Sequence, residues 1–282
     1  MRSDLTVNFH LIKNCNFKCG FCYAHFENAR WLSREDSMAV VQEIHRGGFG
    51  KINFAGGEPL LHREFASLLR QARVLGLRTS IITNGSRITE EWVDENAPYL
   101  DIIGISCDSA NPDSLRQMGR GNGNSAKHTK QVFSWIENYN QSSAKPIYKK
   151  LNSVITRYNW DEDMRGFVRS LNIDRWKIFQ VLRIEGENDK TFPDFEISEN
   201  QFSDFYNRHF ELKYDGVRVV PEDNSAMTDS YLMVNPDGRF YCNTNGHYQQ
   251  SDPIHAVGIE KALRQINFSQ DKFILREGIY TI

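Results

Sequence analysis

The sequence predicts an α/β protein: a partial (β/α)6 barrel, TIM-like in layout, with a C-terminal extension. Two observations carry that reading. Short β-like runs alternate with amphipathic helical runs through the first two thirds, and the alternation stops near Glu185. Strict alternation implies a parallel sheet with right-handed crossovers. Six units suggest a partial barrel rather than the closed eight-stranded form, and in such barrels the chemistry gathers at the C-terminal strand ends.

The strands expected are Thr6–Ile12, Lys51–Phe54, Arg78–Ile82, Leu100–Ser106, Ile147–Ile155 and Arg175–Leu182. Most are rich in β-branched or aromatic residues, and Gly, Asn or Asp follows closely. The helices expected between them are Ser33–His45, Arg63–Leu75, Thr89–Asn96, Ala126–Tyr139 and Trp160–Ser170. Ser33, with Asp36 three residues on, suits an N-cap. Phe65, Leu68, Leu69, Ala72 and Leu75 step by three and four residues, which fits a helical period. Residues 1–185 are therefore read as the barrel. Residues 186–282 are read as an extension packed on it and covering its mouth. Within that extension Glu187–Ile197 is loop-like and Glu199–Leu212 helical. Tyr231–Val234 and Arg239–Cys242 form a hairpin around Asn235-Pro236-Asp237-Gly238, whose residues supply turn geometry.

Bulk properties narrow the function. A chain of 282 residues with 40% hydrophobic residues buries a substantial core, and a net charge of −2 argues against a surface for polymeric nucleic acid. No run approaches a membrane span, and the N-terminus reads as neither secretory signal nor anchor. A cytoplasmic monomer is expected. Five cysteines is an odd number, and three crowd into eight residues, a pattern for metal rather than disulfides.

Those three are Cys15, Cys19 and Cys22, spaced C-x3-C-x2-C just after the first strand. Soft thiolates suit iron–sulfur clusters. Three ligands leave one iron of a cubane open, and an open site is what chemistry requires. A structural zinc site is the alternative, but zinc knuckles prefer C-x2-C pairs with a second pair or histidines, and Cys107 and Cys242 are isolated. Gly56-Gly57-Glu58-Pro59 ends the second strand, where glycines allow close approach and Glu58 can accept from an ammonium group. Lys51, Lys150 and Lys177 lie inside predicted strands, a costly position unless an anion meets them. Arg120 sits in Gly119-Arg-Gly-Asn-Gly123, whose glycines could let backbone N–H groups approach phosphate. Four such cations at one mouth suit a triphosphate; singly, each lysine could snorkel to solvent.

The cysteine motif, with Phe21 before its last member, resembles the fingerprint of the radical S-adenosylmethionine superfamily. That resemblance implies a [4Fe–4S] cluster whose open iron binds the amino and carboxylate groups of S-adenosylmethionine. One electron then breaks the C5′–S bond and yields a 5′-deoxyadenosyl radical. It also implies cofactor contacts from Gly56, Gly57 and Glu58, and from Asn84 and Ser106 at the third and fourth strand ends.

Longer segments are more specific. Lys51–Pro59, Ile105–Ser109, Gly119–Gly123, Asn152–Ile155, Arg175–Gln180, Ile184–Asn188 and Asp229–Leu232 all resemble the viperin family. The resemblance implies dehydration of a ribonucleoside triphosphate, CTP by default and UTP or GTP as alternatives, to its 3′-deoxy-3′,4′-didehydro form. That product is a chain terminator in antiviral defence. It implies nucleotide contacts from Asn53, Asn152 and Asn8, a proton or hydrogen-atom donor at Tyr231, and an electron donor of flavodoxin or ferredoxin type. The chain departs from animal viperins in lacking an N-terminal amphipathic helix and a terminal tryptophan, which suits a microbial member. Two rivals stand: a radical enzyme acting on peptides or building cofactors, and a non-catalytic zinc or Fe–S sensing module.

Overall fold

The computed structural model describes residues 2–26 and 28–280. The C-terminal segment 278–282 therefore has its last two residues outside the described part. Six parallel strands follow the expected order: β1 (Thr6–His10), β2 (Lys51–Ala55), β3 (Arg78–Thr83), β4 (Ile102–Ser106), β5 (Tyr148–Ile155) and β6 (Arg175–Gln180). A seventh, β7 (Arg218–Glu222), pairs in parallel with β6 and was not expected from the sequence. Pro221 sits within it, and proline reads against a strand because it has no N–H to donate. Here β7 is an edge strand, where that donor is not needed.

The chain then crosses to the opposite edge. β8 (Leu232–Val234) pairs in parallel with β1, matching Val7 with Leu232. The expected hairpin is present: β9 (Arg239–Cys242) runs antiparallel to β8, and β10 (Gln249–Pro253) pairs with β9. The region after Glu185 thus supplies strands to both edges of one ten-stranded sheet.

Helices cover the outer face: α1 (Arg34–Arg46), α2 (Phe65–Val74), α3 (Glu90–Asn96), α4 (Pro112–Gln117), α5 (Ser125–Ser142), α6 (Arg165–Arg169) and α7 (Glu199–His209). Ser33 caps α1, its hydroxyl accepting from the Asp36 N–H at 3.0 Å. The expected Trp160–Ser170 helix shrinks to α6, because Asn159 ties the preceding turn by accepting from the Thr156 N–H. The α2 face named from the sequence is buried as expected at Phe65, Leu68, Leu69 and Ala72.

Strand periodicity separates core from site. Val7, Phe9, Ile52, Phe54, Leu151, Trp176 and Ile178 face the helices and are essentially fully buried. Each such side chain contributes about 1.5–3 kcal/mol. Their alternate neighbours Thr6, Asn8, Lys51, Asn53, Lys150, Asn152 and Lys177 point into the barrel, where they line a cavity. The strand lysines are therefore not snorkelling outward: each is almost fully buried.

Candidate active site

One cavity of about 250 Å³ runs through the barrel, with Cys15, Cys19 and Cys22 at the C-terminal strand ends and Lys51, Lys150, Lys177 and Arg276 on its walls. The cysteine loop follows β1 and is pinned from below by the Gly-Gly-Glu turn after β2. The Gly57 N–H donates to the Ile12 carbonyl at 2.6 Å and the Glu58 N–H to Asn14 at 2.8 Å. A Cβ on Gly57 would lie 2.4 Å from the backbone oxygens of both Lys13 and Asn14. The glycine is thus required for packing of the loop.

The Gly119–Gly123 loop packs the same way, on the other side. Lys18 donates its N–H to the Gly119 carbonyl at 3.2 Å and Gly20 to Met118 at 3.3 Å. Gly119 has a φ of 75°, and a Cβ there would come within 2.0 Å of the Lys18 oxygen. Its glycines serve the cysteine loop, where phosphate contact was expected. Arg120 points into the cavity beside the cysteines, paired with the fully buried carboxylate of Asp108. Burial works against its charge, but Asp108, then Cys19, more than restores it. Arg120 lines the same cavity as the three lysines, from the side that holds the cysteines.

Glu58 is fully buried and does not line the cavity. Its oxygens accept from the Thr83 hydroxyl at 2.7 Å, the Asn84 N–H at 2.8 Å and the Leu60 N–H at 3.1 Å. It joins the ends of β2 and β3, while Gly56 and Gly57 are the members of the turn that face the cavity. Asn84 lines the cavity too, donating to the Asn16 side chain at 2.9 Å and to Cys15 Sγ at 3.8 Å. Ser106 lines it from the end of β4.

Deeper in the barrel the walls become cationic. Lys150 and Arg175 are lateral neighbours on β5 and β6, and Lys177 stands one inward position further on beside Asn152. Lys51 and Lys150 have no carboxylate within ion-pair distance among the described residues; instead the Tyr280 ring lies 3.8 Å from Lys51 Nζ, 5.7 Å from Lys150 Nζ and 4.4 Å from Arg175. Burial, then Lys150, Lys177, Arg175 and Arg276, holds Lys51 well below a normal lysine pKa. Burial and Arg175 bring Lys150 down to about 7. Such a cluster gains from any bound anion, which would restore the lost protons.

Asn8 and Asn53 are linked above it: the Asn53 amide donates to Asn8 at 2.9 Å, and the Ser80 hydroxyl donates to Asn53 at 2.7 Å. The Asn152 Oδ1 is buried without a partner, as is Thr6 Oγ1, and both residues line the cavity. Tyr231 lines it as well, its hydroxyl donating to Glu222 Oε2. Lys177 donates to the other oxygen of Glu222, and Arg276 stacks 3.5 Å over the Tyr231 ring. Burial tends to raise the Glu222 pKa, but Lys177 and Arg276 overcome it and hold the carboxyl below its usual value.

Sequence reasoning missed Glu222, Arg175, Arg276, Asp108 and Tyr280. Arg175 had a usable signal, being a charged residue at the same strand parity as Lys177. Glu222 was hidden by the proline before it, and Arg276 and Tyr280 lie in a tail with no periodicity.

A partial parallel barrel with three cysteines on the loop after β1 defines the radical S-adenosylmethionine class, and the model for the radical SAM superfamily matches residues 10–171. SuiB of Streptococcus suis, solved bound to S-adenosylmethionine, shares the fold, with a TM-score of 0.67 at 15% identity over 87% of this chain and 63% of that one. An S-adenosylmethionine-dependent nucleotide dehydratase of Flammeovirga pacifica is 38% identical over 98% of this chain and 95% of its own length. The corresponding dehydratase RSAD2 of Oncorhynchus mykiss is 37% identical over 98% of this chain and 80% of its own. The chain therefore belongs to the viperin-like family of that superfamily, whose cofactors are a [4Fe–4S] cluster and S-adenosylmethionine.

The residues present fit those cofactors. All three thiols line the same cavity end, Cys15 exposed and Cys19 buried. Phe17 donates its N–H to Cys15 Sγ at 3.4 Å, the kind of contact that tunes an iron–sulfur centre. Burial lifts the free thiols, Cys19 to about 11 and Cys22 to about 12, so metal binding must displace their protons. Among the described residues no three such groups are close enough to hold a single metal ion.

Proposed function

We propose that this protein is a radical S-adenosylmethionine-dependent nucleotide dehydratase that converts a ribonucleoside triphosphate to its 3′-deoxy-3′,4′-didehydro form. CTP is the default substrate. The observation that carries this reading is the cationic end of the cavity. Lys51, Lys150, Lys177, Arg175 and Arg276 converge there, and Glu222 and Glu277 are the carboxylates that pair with members of the group. That excess positive charge is stable when a polyphosphate fills it.

When bound, the cluster and S-adenosylmethionine supply a carbon radical that takes the ribose 4′ hydrogen. The chain's own residues then do the rest. Gly56, Gly57, Asn84 and Ser106 shape the cofactor end beside the cysteines. Lys51, Lys150, Lys177 and Arg276 hold the phosphates at the other end. Asn8, Asn53 and Asn152 lie between, where Asn152 Oδ1 offers an unused acceptor to a nucleotide hydroxyl or amine. Tyr231 lines the same space with its hydroxyl bonded to Glu222, and it serves as proton or hydrogen-atom donor. Arg120 and Asp108 keep a fixed charge pair beside the cofactor. The electron is delivered by a donor of flavodoxin or ferredoxin type, and the product's role is chain termination in antiviral defence.

Anaerobic reconstitution tests this. The protein should bind about four irons, as an iron–sulfur cubane requires, and one nucleoside triphosphate should stimulate 5′-deoxyadenosine formation. If CTP, UTP and GTP all leave that rate unchanged, the reading is wrong.

A further inference from the structure

The cysteine loop has two flanks of opposite charge. On one side it is tied to the turn after β3 and to the start of α5. The Asn16 amide donates to the Ser86 hydroxyl at 2.8 Å, and His128 Nε2 lies 2.9 Å from the Gly85 carbonyl oxygen. Gly121 comes so near that a Cβ there would lie 2.9 Å from the Phe17 ring. The three segments so joined, 13–18, 84–87 and 119–128, contain no Asp or Glu. Lys18, Arg87 and Lys127 are exposed on them. Arg120 is paired with buried Asp108, and Arg116 with Asp113 forms a balanced pair at the rim; Lys18, Arg87 and Lys127 join no ion pair among the described residues. Glu90 and Glu91 follow only where α3 begins.

On the other side the loop is tied to residues 185–196. The Asn188 amide donates to the Phe21 carbonyl at 3.0 Å, and the His25 N–H donates to Glu187 at 2.7 Å. That segment carries five carboxylates and one lysine. In a chain whose net charge is only −2, the two flanks make a local dipole across the cysteines. Cys15 is the exposed thiol of the three, and its Sγ stands among groups of the basic flank, with the Phe17 N–H at 3.4 Å and the Asn84 amide at 3.8 Å.

We propose that this basic flank is the docking surface for an acidic one-electron carrier, a flavodoxin- or ferredoxin-type protein, which reduces the cluster from its Cys15 side. This inference rests on the radical-enzyme reading above. One electron leaves the reduced carrier, which is oxidised by one, and enters the cluster, which is reduced by one; no bond or proton changes hands. Encounters of this kind bury little surface, under about 1,200 Å² in all. A few fixed charges beside the centre are therefore enough to orient the partner and speed its arrival. The acidic flank repels the same carrier, so it is held to the side where Cys15 is exposed.

The test titrates anaerobic holoenzyme with oxidised flavodoxin in a calorimeter, where no turnover occurs. The double variant Lys18→Glu/Arg87→Glu should bind it at least about tenfold more weakly at low salt. The difference should close to about twofold or less at about 0.5 M salt, where screening acts over about 4 Å. Iron content and dithionite-driven 5′-deoxyadenosine formation should match the wild type, while the rate driven by reduced flavodoxin falls. Lys190→Glu, the same charge change on the acidic flank, should leave flavodoxin affinity within about twofold. If the double variant loads iron poorly, Lys127→Glu, placed on α5, carries the same readouts with a loss of about threefold. Equal flavodoxin affinity in variant and wild type would overturn the proposal. So would an equal loss for Lys190→Glu, a parallel loss of the dithionite-driven rate, or binding to phosphatidylserine vesicles without binding to flavodoxin. Failure of the wild type to form 5′-deoxyadenosine with any nucleotide under dithionite would instead refute the assignment of function, and the flavodoxin titration would still judge the docking surface.

Discussion

Replacing Lys51 with methionine removes one charge from the phosphate end while keeping an unbranched side chain there. Lys51 has no carboxylate partner among the described residues, so no buried anion is left uncompensated. A charge-assisted hydrogen bond contributes about 1.5–3 kcal/mol, which is about 10- to 150-fold in a dissociation constant. The lower end is expected at neutral pH. Burial and four neighbouring cations hold Lys51 well below its usual pKa, so part of the binding energy is spent on reprotonating it. Calorimetric titration under anaerobic conditions with nucleoside, monophosphate and triphosphate isolates the effect. The triphosphate should weaken about tenfold or more, the nucleoside by less than twofold, and the difference should shrink at high salt. The free variant should also melt higher, since a repelling cation is gone. Equal losses for nucleoside and triphosphate, or none for either, would refute the placement of phosphate at this end.

Three further outcomes are expected. Lys150, lowered to about 7 when free, should regain its proton on binding a triphosphate. Between pH 7 and about 10 affinity should then fall as pH rises, with proton uptake visible in buffers of different ionisation enthalpy, while the stability of the free protein rises over the same range because the unfolded chain binds more protons there. Cys19→Ala should lose the visible iron–sulfur absorbance and deoxyadenosine formation together, since two thiolates cannot replace three. Gly57→Ala should lower iron content at unchanged cysteine number, because its methyl group would press on the backbone oxygens of Lys13 and Asn14; normal iron loading would show that the loop can shift without cost.

Much of this molecule is written in its strand periodicity. Lys51, Lys150 and Lys177 alternate with the core residues Ile52, Leu151, Trp176 and Ile178, so strand parity sends them into the barrel. The cysteine spacing names its chemistry for a similar reason, being local. What the sequence hid is long-range. Glu222 lies behind Pro221 in a segment that reads as a loop until β6 offers it an edge. The Gly119–Gly123 loop invites a phosphate reading, yet its positive-φ glycines answer to the close approach of Lys18 and Phe17. Glu58 likewise looked available to a ligand, and only the position of Thr83 and Asn84 shows its oxygens already engaged. Burial and pairing decide availability, and neither is legible one residue at a time.

The pairing of Val7 with Leu232 joins the first strand of the protein to one of its last. During synthesis the cysteine loop is finished long before that edge can form, and Tyr231 arrives with it. The edge that closes last in the chain thus carries Tyr231, Met233, Asn243 and Tyr248 to the wall of the cavity whose cysteines come from its first loop, so the two ends of the sequence complete one site.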